Sequence, residues 1–109
     1  MRLPNLEISN LEETLLIAVC HRECYGLEIL DIVDKASLGK RRLGYGSLYP
    51  TLQKLEKRGL LQSHWGEDRP EERSGARRKY YAITDLGLEA LKEVEQFRQR
   101  LKTLEFGFS

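Results

Sequence analysis

The chain has 109 residues, 40% of them apolar and 32% charged, which suits one folded domain with a modest core and excludes a disordered tail. Its longest apolar run, around residues 15–19, is far too short to span a bilayer, and no signal peptide opens the chain, so a cytoplasmic protein with no membrane contact is expected. The net charge of +1 decides nothing by itself, but residues 1–34 carry two cations against seven anions and residues 35–60 carry seven against one. Concentrated basic charge of this kind is either a solvated helix face or the footprint of a polyanion.

In chain order, Ser9, Asn10, Leu11 and Glu12 have capping-box spacing and open a helix that should run to about His21, with Leu11, Leu15, Ala18 and Val19 on one face. Tyr25-Gly26 interrupts the pattern. A second helix is predicted over 26–36, with Leu27, Ile29, Leu30 and Val33 apolar and Glu28, Asp31 and Asp34 outward. A glycine- and cation-rich connection then carries Lys40, Arg41 and Arg42. The third helix is expected to start near Gly46 or Ser47, because Pro50 has no N–H to donate and belongs in a first turn. Leu48, Leu52 and Leu55 form its inward stripe, and Gly59 suits a left-handed cap.

Residues 61–65 and 78–83 alternate as strands around a polar loop, giving a hairpin with Tyr81 and Ile83 on one face and Arg78, Tyr80 and Ala82 on the other. Thr84 or Asp85 caps a last helix of about twenty residues carrying Leu88, Leu91, Val94, Phe97, Leu101 and Leu104 at spacings of three or four.

Three helices followed by a hairpin and a fourth helix predict a mainly α (α+β) fold, a winged helix-turn-helix with a C-terminal dimerisation helix. Residues 1–84 would form the DNA-binding part and 85–109 the dimerisation helix, within one structural unit. In that architecture the third helix enters the major groove and the wing lies along the adjacent backbone or minor groove. The face opposite the leucine stripe presents Pro50, Gln53 and Lys57, flanked by Ser47, Tyr49 and Lys54. Gln53 suits the edge of adenine, Lys54 or Lys57 suits guanine or phosphate, and Ser47 suits either. Amides around Ser47 can hold a phosphate, and Arg77, Arg78 and Lys79 add backbone affinity that falls with salt. Leu91, Val94, Phe97, Leu101 and Leu104, with Phe106 and Phe108 beyond them, exceed what so small a core covers, so a two-fold homodimer through this helix is expected.

Four blocks in order, YGLEIL at 25–30, GSLYPTLQKLEKRGLL at 46–61, RSGARRKYYAIT at 73–84 and DLGLEAL at 85–91, resemble the PadR family of bacterial transcriptional regulators over about residues 11–95. The resemblance implies a winged-helix dimer, mostly a repressor, acting on a palindromic operator in double-stranded DNA, with a small planar effector releasing many members. It implies the short subclass that dimerises through one long helix. It also assigns Tyr49, Pro50 and Thr51 to the start of the recognition helix, and Arg77, Arg78 and Tyr80 to the second wing strand, with Arg73 just before it. A narrower likeness, to cyanobacterial members acting on a circadian clock gene, would make the regulated gene a clock gene.

Other features weigh less. Cys20, His21 and Cys24 have too few further ligands for zinc, so neither metal nor cofactor is expected, and ordinary thiols near a helix end are the simpler reading. Trp65 is expected to pack the base of the wing, with a planar-ligand role as the alternative, and of Tyr80 and Tyr81 one should be core and one surface. No phosphate loop and no nucleophile with a neighbouring base support an enzyme. The competing class is a winged-helix protein-interaction module, against which Lys54, Lys57, Arg58 and the 40–42 cluster argue.

Overall fold

The computed structural model describes residues 6–66 and 77–104. Helix α1 (Asn10–Ala18) is followed by a short strand β1 (Cys24–Tyr25), helices α2 (Gly26–Ala36) and α3 (Tyr45–Lys57), strands β2 (Leu61–Trp65) and β3 (Lys79–Ile83), and helix α4 (Asp85–Thr103). The loop residues 67–76, Arg73 among them, and the terminal Phe106 and Phe108 lie outside the described residues.

The capping box forms as the spacing predicts. Ser9 Oγ accepts from the Glu12 amide at 3.1 Å, and Glu12 Oε1 accepts from the Ser9 amide at 2.7 Å. The helix stops at Ala18 rather than His21, because the amides of Val19 and Cys20 bond to Leu16 and Ile17 and tighten the chain into a turn. That turn leads into β1, a strand that the sequence pattern does not reveal: two residues are too few for alternation, and only pairing with β3 defines them. The sheet order is β1-β3-β2, all antiparallel, with Leu61 opposite Ile83, Ser63 opposite Tyr81 and Trp65 opposite Lys79.

The core joins Leu15, Leu16 and Val19 of the first helix to Ile29 and Val33, to Leu48, Leu52 and Leu55, and to Leu60, Leu61 and Tyr81 under the sheet. Each such side chain contributes about 1.5–3 kcal/mol when fully withdrawn from water. The predicted stripe of α3 is fully buried, whereas Leu27 of α2 is 54% exposed and that helix faces inward with Ile29, Val33 and, partly, Leu30 and Ile32. Glu28 is not simply outward: it accepts from the Tyr25 amide and holds the start of α2.

Helix α3 ends in a Schellman arrangement. Gly59, at φ 78°, donates to Glu56 O, and the Leu60 amide donates to Leu55 O at 2.9 Å. Its beginning differs from expectation. Gly44 is the N-cap, which makes Pro50 the sixth helical residue and places it in the second turn. Proline there leaves the Gly46 carbonyl without its usual amide partner, a loss tolerated because both residues are exposed.

Thr84 caps α4 by accepting from the Gly87 amide, and its hydroxyl donates to Gly59 O, which docks the helix start on the α3–β2 corner. Gly87 and Ala90 are buried there and Leu86 and Leu91 pack against the core. Further along, Phe97, Leu101 and Leu104 continue the same side of the helix but are 54%, 54% and 53% exposed.

Only two charged side chains among the described residues are buried, Glu12 and Glu13. Burial pushes the Glu12 carboxyl up, but the Ser9 amide, the Arg58 guanidinium and the Ser9 hydroxyl outweigh it and hold it below the usual carboxylate value. A carboxylate with a lowered folded pKa adds stability that is complete above its unfolded value and is lost as pH falls through the lowered one. Glu12→Gln is therefore expected to flatten the loss of thermal stability in that acid window relative to the unaltered chain. Parallel acid melting curves would contradict the assignment.

Candidate nucleic-acid interface

The leucine stripe fixes which way α3 faces. With Leu48, Leu52 and Leu55 fully buried, Ser47, Tyr49, Pro50, Gln53, Lys54 and Lys57 are exposed on the other side. No acidic residue lies in the first turn, so the positive end of the helix dipole is uncompensated. The leading amides belong to Tyr45 and Gly46, one to two residues earlier than the sequence suggests, because the Ser47 amide donates to the Gly44 carbonyl at 3.1 Å. Thr51 is half-buried and its hydroxyl donates to Ser47 O at 2.7 Å, so its role is to close the turn around Pro50 more than to present a donor.

Tyr49 has two duties. It is 36% exposed, its ring stacks parallel on Tyr45 at 5.9 Å, and its hydroxyl lies where a side chain on Gly26 would begin, 2.2 Å from an ideal Cβ. The glycine that opens α2 therefore makes room for the phenol that braces α3 against it. Tyr45, which composition and motif reading leave out, joins the exposed face through this stack. The four-residue spacing of the two tyrosines is the signal that could have found it.

Lys40, Arg41 and Arg42 are exposed in the α2–α3 connection. The Arg41 amide donates to Ser37 Oγ at 2.8 Å and its guanidinium reaches Thr14 Oγ1 of α1 at 3.4 Å, so the loop is tied to the domain. On the wing, Arg77 Nε donates to Gly66 O and the Arg78 guanidinium lies 4.6 Å over the Tyr25 ring, both side chains remaining exposed. Lys79 is placed differently. It is half-buried between the rings of Trp65 and Tyr81, and its Nζ is 3.9 Å from Glu56 Oε1. Glu56 also accepts from Ser63 Oγ, so it ties α3 to the inner face of the sheet.

Trp65 does not pack under the wing base as expected. It is 56% exposed, because the register sets it at the open end of the inner sheet face, opposite Lys79. Tyr81 is the core tyrosine, and Tyr80 is half-buried between Tyr25 and the His64 ring. His64 also bonds Glu23 at 2.6 Å, and that bond, with the Trp65 carbonyl, raises its pKa. Arg58 is withdrawn from the basic face altogether: it caps α3 and donates to buried Glu12. Cys24 is buried with its thiol pKa raised by burial, which suits an inert thiol, and no cluster of three metal-ligating side chains occurs among the described residues.

Exposed cations thus occur on α3, in the α2–α3 connection and just before β3. No described helix is long and apolar enough to cross a membrane.

Comparison with known proteins agrees with this architecture. An uncharacterised protein of Lysinibacillus sphaericus is 28% identical over 85 residues, 78% of this chain and 74% of its own length. A PadR-like transcription factor from Bacteroides fragilis superimposes with a TM-score of 0.73 at 28% identity, covering 84% of this chain and 82% of its own. A PadR family regulator from Clostridium difficile R20291, at 24% identity, shares the fold with a TM-score of 0.70 over 88% of this chain and 94% of its own. The model of the PadR-like family of transcriptional regulators matches residues 15–93, most of the chain, and the chain belongs to that family.

Proposed function

We propose that this regulator is a homodimeric repressor that reads a palindromic operator, α3 entering the major groove and the wing arginines holding flanking phosphate. As a member of a family of transcriptional regulators it binds DNA and is not an enzyme. The observation that carries the finer reading is the pairing of two surfaces: an exposed polar and basic face on α3, and an apolar continuation of α4 that nothing among the described residues covers. A two-fold axis through α4 would set two recognition helices about one DNA turn apart, roughly 34 Å. Residues 1–84 then read DNA and 85–109 pair the protomers, in the cytoplasm on the nucleoid.

Gln53 and Lys57 are the base-reading candidates, with Ser47 beside them. Lys40, Arg41, Arg42, Arg77 and Arg78 act on phosphate, and Arg73 does the same from the wing loop. Lys54 stands at the edge of this face, since it also lines a groove shared with α1 and α4. Lys79 contributes little, because it is half-buried and Glu56 offsets part of its charge. A small planar effector, where one exists, has that same groove available, and a clock gene is the target the narrower family likeness suggests. A protein-interaction module would need none of the exposed cations on both α3 and the wing.

The test is binding to duplex DNA across a salt series. Affinity should fall steeply from low to physiological salt, and a flat response would remove the phosphate contacts from the account. Lys57→Ala is expected to weaken a selected operator by about 1–3 kcal/mol while leaving random duplex nearly unchanged. An equal loss on both would make Lys57 a phosphate contact.

A further inference from the structure

The two buried carboxylates are consecutive residues in the first turn of α1, and each takes an arginine from a different helix. Glu12 Oε2 accepts from Arg58 Nη1 at 3.0 Å, and Arg58, the C-cap of α3, also donates to the Glu7 carbonyl. Glu13 accepts from both terminal nitrogens of Arg98, at 2.6 and 2.7 Å, in the C-terminal third of α4. Adjacent helical positions point about 100° apart. One turn of α1 therefore holds the end of the recognition helix on one side and the dimerisation helix on the other.

Apolar packing between α3 and this part of α4 does not do that job. An open groove lies there, lined by Lys54 and Arg58 from one helix and by Val94, Phe97, Arg98 and Leu101 from the other. Helix α4 is pinned at its start, where Gly87 meets the Leu60 carbonyl, and is next held by a charged contact about three turns further on, at Arg98. Ala90 and Leu91 extend the apolar anchor one turn past Gly87, and beyond them the direction of the helix depends on the Glu13 fork. A bidentate guanidinium–carboxylate contact fixes relative orientation as well as distance. The positive end of the α1 dipole further favours both carboxylates where they sit.

We propose that the Glu13–Arg98 and Glu12–Arg58 pairs are positioning devices that fix the angle between recognition helix and dimerisation helix, and so select the spacing of operator half-sites. The proposal rests on the dimeric reading above. Its leverage is geometric: half-sites stand about 34 Å apart, and one base-pair step adds about 3.4 Å of rise and about 34° of twist. A shift by one step therefore asks each protomer for a tilt on the order of 6° together with a turn of about 17°, which a fixed helix angle resists.

The experiment selects binding sites from a random-sequence duplex pool with the unaltered chain, Arg98→Gln and Arg98→Lys. Arg98 is 48% exposed on its side chain, so its replacement can be hydrated without unfolding the domain. The unaltered chain should enrich paired half-sites at one spacing, favoured about tenfold over its neighbours. Arg98→Gln should sediment as a dimer and enrich the same half-site sequence over several spacings, with that preference reduced to about twofold. Arg98→Lys, which keeps the charge and loses the fork, should fall between them, and it carries the test alone if Arg98→Gln does not fold. A folded dimeric variant that keeps the single spacing overturns the proposal. So does one that loses the half-site sequence, or one that becomes monomeric, since the pair would then shape the recognition helix or the interface itself. An unaltered chain that sediments as a monomer, or enriches only isolated half-sites, defeats the dimeric reading instead and takes this one with it.

Discussion

Gly87→Ala is expected to lower the unfolding free energy by about 1–3 kcal/mol, at the upper end of that range, because overpacking here meets backbone. A Cβ built on Gly87 lies 2.3 Å from the Leu60 carbonyl oxygen and 2.6 Å from Ile83 Cγ1. The carbonyl cannot rotate away without disturbing the Leu60–Thr84 contact, in which the Thr84 amide donates to that same oxygen at 3.2 Å. The helix start must lift off the α3–β2 corner, which loosens Leu86 and Leu91 from the core. Gly46→Ala is the control: nothing lies within 4 Å of its Cβ, and alanine is favoured over glycine inside a helix by about 0.5–1 kcal/mol. Thermal unfolding of the two variants should move in opposite directions. Equal midpoints would mean that α4 is not docked through Gly87.

Parts of the fold governed by local chemistry are legible in the sequence. The leucine stripe of α3, the capping box at Ser9, the cap at Gly59 and the strand at 61–65 are local patterns, each with its own chemistry, and the structure has them where the pattern says. What escapes is set by partners distant in sequence. The two residues of β1 become a strand only through Tyr80 and Tyr81, and α1 ends early because the chain must turn to reach them. Pro50 misplaces the start of α3 by one to two residues, since the rule confining proline to a first turn yields where the freed carbonyl faces water.

The candidate interface divides in the same way. Exposure of Ser47, Gln53 and Lys57 follows from helical periodicity once the inward face is known. Charge alone does not reveal which cations are spoken for. Arg58 looks like its neighbour Lys57 in sequence, yet one is locked to a buried glutamate and the other stands in solvent. Lys79 beside Arg78 is the wing counterpart, its side chain drawn inward by Glu56 and two rings because it alternates onto the opposite sheet face. Tyr45 escapes for a different reason: its place on the exposed face rests on the stack with Tyr49, which is itself braced against Gly26.

Leu101→Glu is expected to separate the protomers while leaving each one folded. The side chain is 54% exposed in a single chain, so a glutamate there costs the isolated domain little. In a two-fold dimer the substitution occurs twice, removing two leucines that each contribute about 1.5–3 kcal/mol when buried and setting carboxylates into the seam formed with Phe97 and Leu104. A loss of about 2.7 kcal/mol already raises the dissociation constant about a hundredfold, so the doubled effect should leave monomer at micromolar concentration. Operator binding then collapses further than the change in any one contact, because the second half-site is no longer engaged at high effective concentration. Leu88→Glu supplies the comparison: it is 47% exposed on the same helix but lies away from the line of Phe97, Leu101 and Leu104. Sedimentation should find Leu88→Glu dimeric and Leu101→Glu monomeric, with matching far-ultraviolet spectra. The reverse outcome would move the two-fold axis to the other side of α4, and with it the half-site spacing that the Glu13–Arg98 contact is proposed to set.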